Sequence, residues 1–341
     1  MDNIREALLY EKIEKNRVRC NLCFKKCIIK ENEHGFCGVR KNIDGKLYTE
    51  IYGLASSVAM DPIEKKPLFH FFPGSKVLSL GTWGCNLRCA HCQNWEISYE
   101  KYSDKIIDNS NFLSPESLID LAKKYNSKGI AFTYNEPTIW FEYTLDIFKI
   151  AKSIGLYTVY VTNGTITSEG LHMISPYLDA FRVDIKAFYE NSFKKITGVK
   201  NINSILERTI EAKRIGMHIE VVTNVIPTVN DSRKEMDELS KWIFENLGLK
   251  TPWHVTRFYP YQQFSYIEPT PIKTLEIIRD IGESNGLKFI YVGNVFGHPY
   301  ENTYCPNCKS LVIKREGYNI KEYNIINRRC KFCGEDLNIV D

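Results

Sequence analysis

The sequence predicts an α/β protein: a partial or complete (β/α) barrel of parallel strands, with a cysteine-rich module before it and a four-cysteine ribbon-like module after it. Three observations predict this. Between about residues 76 and 295, short β-branched apolar runs alternate with helical patterns. Those runs show little polar alternation, as strands buried on both faces do. The eleven cysteines fall into three groups, and none is left over.

The strand runs are KVLSL (76–80), GIAFTY (129–134), YTVYVT (157–162), FRVDIK (181–186), HIEVVTNVI (218–226), WHVTRF (253–258) and KFIYVG (288–293). Helices with recognisable starts lie between them. Ser114 followed by Pro115 is an N-cap with proline at the first helical position, and Leu118, Ile119, Leu121 and Ala122 follow. Ile202, Ile205, Leu206 and Ile210 form one apolar stripe that Gly216 ends. Ser232 with Glu235 is a capping-box pattern, with Met236, Leu239, Trp242 and Ile243 on the apolar face. Strand–helix alternation implies a parallel sheet. Six or seven such units suit a barrel, and a flat doubly wound sheet is the alternative. Residues 1–60 read as a short helix and a four-cysteine metal module, 61–298 as the β/α core, and 299–341 as the terminal module of polar hairpins.

Composition excludes several classes. A chain of 341 residues with 43% hydrophobic residues can bury a full core. The net charge of +4, from 45 basic and 41 acidic residues, is too small to predict a nucleic-acid or membrane partner. The N-terminal MDNIREALLYEKIEKN has no apolar core and is not a signal peptide. No apolar run is long enough to predict a spanning helix. An odd number of cysteines argues against a closed disulfide framework. Thiolates kept for metals imply a reducing compartment, and the expected location is the cytoplasm.

The most informative segment is GTWGCNLRCAHCQNWEIS (81–98), directly after the first strand run. Cys85, Cys89 and Cys92, spaced C-x3-C-x2-C, fit around one face of an iron–sulfur cubane. Three protein ligands for four irons leave one iron open. A closed four-cysteine cluster only carries electrons, whereas an open iron can hold a substrate. The amino and carboxylate groups of S-adenosylmethionine (SAM) can chelate it. An electron from the reduced cluster then breaks the sulfonium carbon–sulfur bond, giving methionine and a 5′-deoxyadenosyl radical that abstracts hydrogen. The cofactor brings the chemistry, and the protein brings position and exclusion of water. A zinc site using His91 as fourth ligand is the alternative, but the adjacency of His91 and Cys92 strains a tetrahedral site.

This loop resembles the signature of the radical SAM superfamily, C-x3-C-x-φ-C. In that family the φ residue is usually aromatic and lies near the adenine; here it is His91. The resemblance extends to other strand ends, where a β/α barrel carries its active face. TYNEP (133–137) resembles the Gly-Gly-Glu of the family, with Tyr134 and Asn135 in place of the glycines, so only Glu136 carries over, as a residue that holds the SAM amino group. A turn that caps the next helix is the other reading of this stretch. Thr162-Asn163-Gly164 and Asp184-Ile185-Lys186 resemble the Thr-Asn-Gly and Asp-x-Lys of activating enzymes of the pyruvate formate-lyase type. Asp184 and Lys186, two apart on a strand, point to one side. They suit SAM's carboxylate, a bound cation, a substrate or a structural ion pair. His254 and Arg257 are three apart on a strand, so only one faces inward.

Two more cysteine sets flank the core. Cys305-x2-Cys308 and Cys330-x2-Cys333 match the spacing of a structural zinc ribbon, with rubredoxin-like iron or a closed cluster as alternatives. The spacing of Cys20, Cys23, Cys27 and Cys37 fits neither a ribbon nor a ferredoxin run, and zinc and a second Fe–S cluster both stay open.

The whole chain resembles the AmmeMemoRadiSam branch of radical SAM proteins, grouped with homologues of pyruvate formate-lyase-activating enzyme. GFCGVRKN, DPIEKKPLFHFFPGS (61–75), CQNWEIS and TYCPNC carry this resemblance. The branch takes its name from Memo-type and AMMECR-type companion proteins, which are therefore expected partners. A one-electron reductant of flavodoxin or ferredoxin type is another. The expected activity is hydrogen abstraction, within which glycyl-radical activation and modification of a protein, RNA or metabolite are options. The competing reading is a non-catalytic, metal-stapled nucleic-acid- or protein-binding protein.

Overall fold

The structure, a computed structural model, describes residues 3–341. Seven core strands occur where the apolar runs place them: β1 (Lys76–Gly81), β2 (Gly129–Phe132), β3 (Tyr157–Thr162), β4 (Ala180–Asp184), β5 (His218–Val225), β6 (Trp253–Arg257) and β7 (Ile290–Gly293). The longer helices between them are α1 (Pro115–Lys124), α2 (Phe141–Ser153), α3 (Ser168–Ile174), α4 (Glu190–Thr197), α5 (Ile202–Ile215), α6 (Arg233–Leu247) and α7 (Ile272–Ser284). Both expected caps form. Ser114 accepts from the Ser117 amide at the start of α1, and Ser232 from the Glu235 amide at the start of α6.

The chain divides into two compact units. The first contains the residues up to Asp61, 76–181 and 203–217, and the second contains 62–75, 182–202 and 218–341. This differs from the expected three-module division: each terminal cysteine module shares a unit with part of the β/α core.

In the first unit β1, β2 and β3 are neighbours in sequence order, all parallel, with strand Ser57–Pro62 on the far side of β1. In the second unit β4, β5, β6 and β7 follow in order, with β5–β6 and β6–β7 parallel. The mostly parallel α/β arrangement is therefore present, while neither row closes into a barrel by itself.

Among the described residues the expected N-terminal helix is not found. Tyr10–Ile13 and Arg17–Cys20 form an antiparallel hairpin, extended by Ile28–Ile29. Lys15 and Asn16 turn it, with φ of 61° and 54°. A short isolated helix is marginal on its own. Here Val18 and Cys20 bury their side chains by alternation along the strand Arg17–Cys20, and Ala7 and Leu9 are buried in the segment before the hairpin.

The second unit is organised around a buried carboxylate. Glu220 on β5 accepts from the amides of Phe69 (3.0 Å) and His70 (2.8 Å), and it bonds Nε2 of His218 (3.0 Å) and of His254 (2.7 Å). The segment 62–75 is thus a strap, which gives DPIEKKPLFHFFPGS a physical account. His70 Nδ1 donates to the Leu337 carbonyl (2.8 Å), and Nε2 accepts from the Tyr291 hydroxyl (2.6 Å). Arg315 donates to the Phe69 carbonyl (3.0 Å) and to Thr303 Oγ1 (2.8 Å). The C-terminal module packs on the same residues: Phe69, Tyr291, Val312, Ile313, Leu337 and Ile339 share one apolar cluster. No helix of the described residues is long and apolar enough to cross a membrane.

Burial holds His70 neutral, its pKa brought from the ordinary 6.5 down to about 3. Burial lowers His254 as well. The unfolded chain takes up these protons first. Their contribution to stability is therefore whole above about pH 6.5 and is lost as pH falls toward 3. The thermal midpoint should fall between pH 7 and pH 5. His70→Leu should lower it at pH 7 and make the fall shallower, as read by calorimetry across that range.

Candidate functional site

The first unit assembles the segment that carries three cysteines. Beyond β1 the chain turns through Thr82 and Gly84. The Asn135 side chain clamps this turn, donating to the carbonyls of Thr82 (3.0 Å) and Gly84 (2.7 Å) and accepting from the Thr82 amide (3.3 Å). Gly84 has φ +82°, and a Cβ there would lie 2.6 Å from the Cys37 carbonyl oxygen, so only glycine fits. Asn86 donates to Thr165 Oγ1 (2.8 Å). Arg88 donates to the Cys85 carbonyl (2.6 Å), and the Tyr99 hydroxyl to the Cys89 carbonyl (2.8 Å). Cys85 is buried; Cys89, His91 and Cys92 are half-buried. Burial, and then the Cys89 thiol, push the Cys85 thiol well above its ordinary range. Ionising the Cys85 thiol in such a place calls for a positively charged centre beside it, and a three-cysteine donor set suits iron–sulfur ligation.

At the end of β2 the backbone enters the left-handed region at Tyr134, φ +71°, where a side chain is uncommon. Asn94 donates to its carbonyl (2.6 Å). Glu136 follows, fully buried. Its carboxylate accepts from Thr162 Oγ1 (2.7 Å), the Asn163 amide (2.8 Å), Asn163 Nδ2 (2.9 Å), the Thr138 amide (3.0 Å) and Thr138 Oγ1 (2.6 Å). Glu136 therefore caps the turn Pro137–Trp140 and locks Thr162-Asn163-Gly164 at the end of β3. Both oxygens bond groups of its own chain.

In the second unit, Asp184 accepts from Arg182 NH1 and from Lys186 Nζ (3.2 Å). Burial opposes its charge, but Arg182 and Lys186 hold it below the usual carboxylate range. Arg182 escaped the sequence reading, although the period-two pattern that pairs residues 184 and 186 extends back to it. Asn135 and Asn86 were missed too, because an asparagine beside a motif carries no signal until its partners are known. His254 points into the Glu220 network, and Arg257 donates to the Thr270 carbonyl (2.9 Å), so the two serve different contacts.

The C-terminal cysteines meet. The sulfurs of Cys305, Cys308, Cys330 and Cys333 lie within 4.8 Å of one another, with 3.5 Å between Cys305 and Cys333 and 3.7 Å between Cys308 and Cys330. This quartet could hold one metal ion. The N-terminal cysteines Cys20, Cys23, Cys27 and Cys37 line one recess in the first unit.

The Gly84 geometry carries a stability cost that can be measured. Gly84→Ala should lower stability by at least about 1 kcal/mol, since it adds left-handed strain to a backbone clash. Urea titration against the wild-type chain checks this, and an unchanged midpoint would remove the constraint assigned to this turn.

Comparison with known proteins finds a family match over this region. Residues 80–242 match the family described as Radical SAM superfamily, a span that includes Cys85, Cys89, Cys92, Glu136 and Asp184. The chain is 43% identical over 339 residues to "Uncharacterized protein MJ0808" of Methanocaldococcus jannaschii, covering 99% of this chain and 100% of that one. It is 25% identical over 195 residues to the pyruvate formate-lyase-activating enzyme of Clostridium pasteurianum, covering 53% of this chain and 77% of that one. Among solved structures, a radical SAM methyltransferase from Sphaerobacter thermophilus aligns over 85% of this chain and 76% of its own, with TM-score 0.52 and 10% identity, which speaks for the fold alone. A three-cysteine loop, buried at Cys85, stands at the end of the first core strand within the matched span, and residues 80–242 of this chain are a radical SAM domain.

Proposed function

We propose that this chain cleaves SAM reductively, giving methionine and a 5′-deoxyadenosyl radical that takes a hydrogen atom from a substrate. The observation that carries this reading is the Cys85–Cys89–Cys92 loop, clamped by Asn135 and buried at its first cysteine. Those three cysteines would hold a [4Fe–4S] cluster, which supplies the electron for cleavage when bound. The chain's own residues shape the surroundings. Asn135 and Gly84 set the path of the loop. Glu136 orients Thr162 and Asn163 at the end of β3. His91, at the φ position, is assigned to the adenine, and Asp184 with Lys186 to SAM, on the sequence pattern.

Hydrogen abstraction to activate a glycyl-radical partner enzyme is the substrate class we favour. Similarity to the Clostridium pasteurianum activating enzyme supports it. In this reading the reductant is a flavodoxin- or ferredoxin-like one-electron donor, and Memo-type and AMMECR-type proteins are the companions. The terminal Cys305–Cys333 quartet holds structural zinc. Its sulfur separations support one tetrahedral ion with metal–sulfur bonds of about 2.3 Å. The protein works in the cytoplasm.

Two measurements test the reading. Anaerobic reconstitution with iron and sulfide, followed by dithionite and SAM, should yield 5′-deoxyadenosine by chromatography. Cys89→Ala should reduce the yield to background. A loaded, reducible wild-type cluster that leaves SAM intact would defeat the proposal. Asp184→Ala should weaken SAM binding about tenfold, equivalent to roughly 1.4 kcal/mol, with iron content unchanged. Equal affinity would return Asp184 to its local ion pair with Arg182 and Lys186.

A further inference from the structure

The N-terminal cysteines come together by backbone hydrogen bonding in the first unit. The Cys20 amide donates to the Cys27 carbonyl (2.9 Å), and the Lys26 amide to the Cys23 carbonyl (3.0 Å). The Gly35 amide donates to the Arg40 carbonyl (2.9 Å) and the Gly38 amide to the Gly35 carbonyl (2.9 Å), which folds the loop that presents Cys37. The Phe36 amide points at Cys27 Sγ from 3.5 Å. All four cysteines line one recess, along with Arg40 and Asn86.

Two features of this recess decide what it can hold. The first is size. A single tetrahedral ion with metal–sulfur bonds of about 2.3 Å draws four sulfurs into mutual contact. The C-terminal quartet shows that geometry, its sulfurs all within 4.8 Å of one another. Among the described residues the N-terminal four do not gather in this way, and neither do Cys85, Cys89 and Cys92. They surround a space instead. A cubane seats each thiolate on a different iron, so its ligands stand apart around an inorganic core. The second feature is a buried donor. Arg40 is 1% exposed and gives both terminal nitrogens to Glu142, at 2.9 and 2.7 Å. Its Nε–H has no hydrogen-bond partner within the chain. A donor left unpaired in such a place is costly unless something in the recess accepts from it. Sulfide and thiolate sulfurs of a cluster are such acceptors, and hydrogen bonds to them tune cluster potential. Leu22, Ile29 and Ile139 add apolar walls, and Lys25 adds a second cation to the lining.

We infer that Cys20, Cys23, Cys27 and Cys37 hold a second, fully cysteine-ligated [4Fe–4S] cluster, with the Arg40 guanidinium donating to it. All four irons are taken by protein, so this cluster exchanges electrons and leaves substrate to the open-iron loop. The recess adjoins that loop. Asn86, next to Cys85, lines it, and Arg88 donates to the Phe36 carbonyl beside Cys37 (3.0 Å).

The test uses the full chain, purified and reconstituted anaerobically with iron, sulfide and zinc all supplied. Native mass spectrometry of the wild type should show two [4Fe–4S] clusters and one further ion. The Cys85→Ala, Cys89→Ala, Cys92→Ala triple variant should keep about four irons and four acid-labile sulfides. It should also give an electron paramagnetic resonance signal on dithionite reduction. Arg40→Lys, which keeps a cation but loses the Nε donor, should shift the midpoint potential of that signal. One cluster with two zinc ions in the wild type, or zinc without sulfide in the triple variant, would overturn the inference. An unchanged potential in Arg40→Lys would remove the donor role of Arg40.

Discussion

The carboxylate of Glu136 accepts five hydrogen bonds from Thr138, Thr162 and Asn163, and it has no exposed surface. A buried charge of this kind persists only when donors surround it. That requirement ties the end of β2 to the end of β3. The residue before Glu136 then reaches the other way. Asn135 holds the carbonyls of Thr82 and Gly84, so the same turn that positions Thr162 and Asn163 also sets the path of the cysteine loop. The left-handed backbone at Tyr134 lets consecutive side chains serve two strand ends.

The three cysteine sets differ in geometry because their backbones differ. In the C-terminal set, short antiparallel strands bring paired knuckles face to face, and four sulfurs meet around a point. In the N-terminal set, a hairpin end, a tight turn and a glycine-rich loop approach from separate directions and enclose a volume. The central loop offers three thiols. Thiolate ligands suit zinc and iron–sulfur groups alike. The spacing between sulfurs, more than their number, distinguishes one ion from a cluster.

The second unit repeats the use of a buried carboxylate for a structural purpose. Glu220 gathers two histidine rings and two backbone amides, and His70 extends the chain of bonds to Tyr291 and Leu337. The pKa of Glu220 is held well below its usual range because the bonds from His218 and His254 outweigh burial. Histidines in such a network are already satisfied, which explains why a histidine on a core strand need not be a catalyst. His254 is such a residue.

Much of this protein was legible in the amino-acid sequence. Seven runs of β-branched residues became seven strands, because apolar runs bounded by turns have few other ways to bury both faces. Ser114 and Ser232 cap helices because a cap is a local interaction between neighbours in sequence. The three-cysteine loop stood out by its C-x3-C-x2-C spacing, because iron–sulfur ligation is a spacing rule, and the Radical SAM family match covers that loop. Tertiary structure decided the rest. It replaced the expected N-terminal helix with a hairpin, and it joined the strap 62–75 to Glu220 and the C-terminal module. It also turned Glu136 inward and opened a recess among Cys20, Cys23, Cys27 and Cys37. The hairpin pairs residues close in sequence, but the strap and the Glu136 turn depend on partners tens to hundreds of residues away, such as His70 with Leu337. Long-range contacts of that kind leave no periodicity or spacing in the chain for a sequence reading to find.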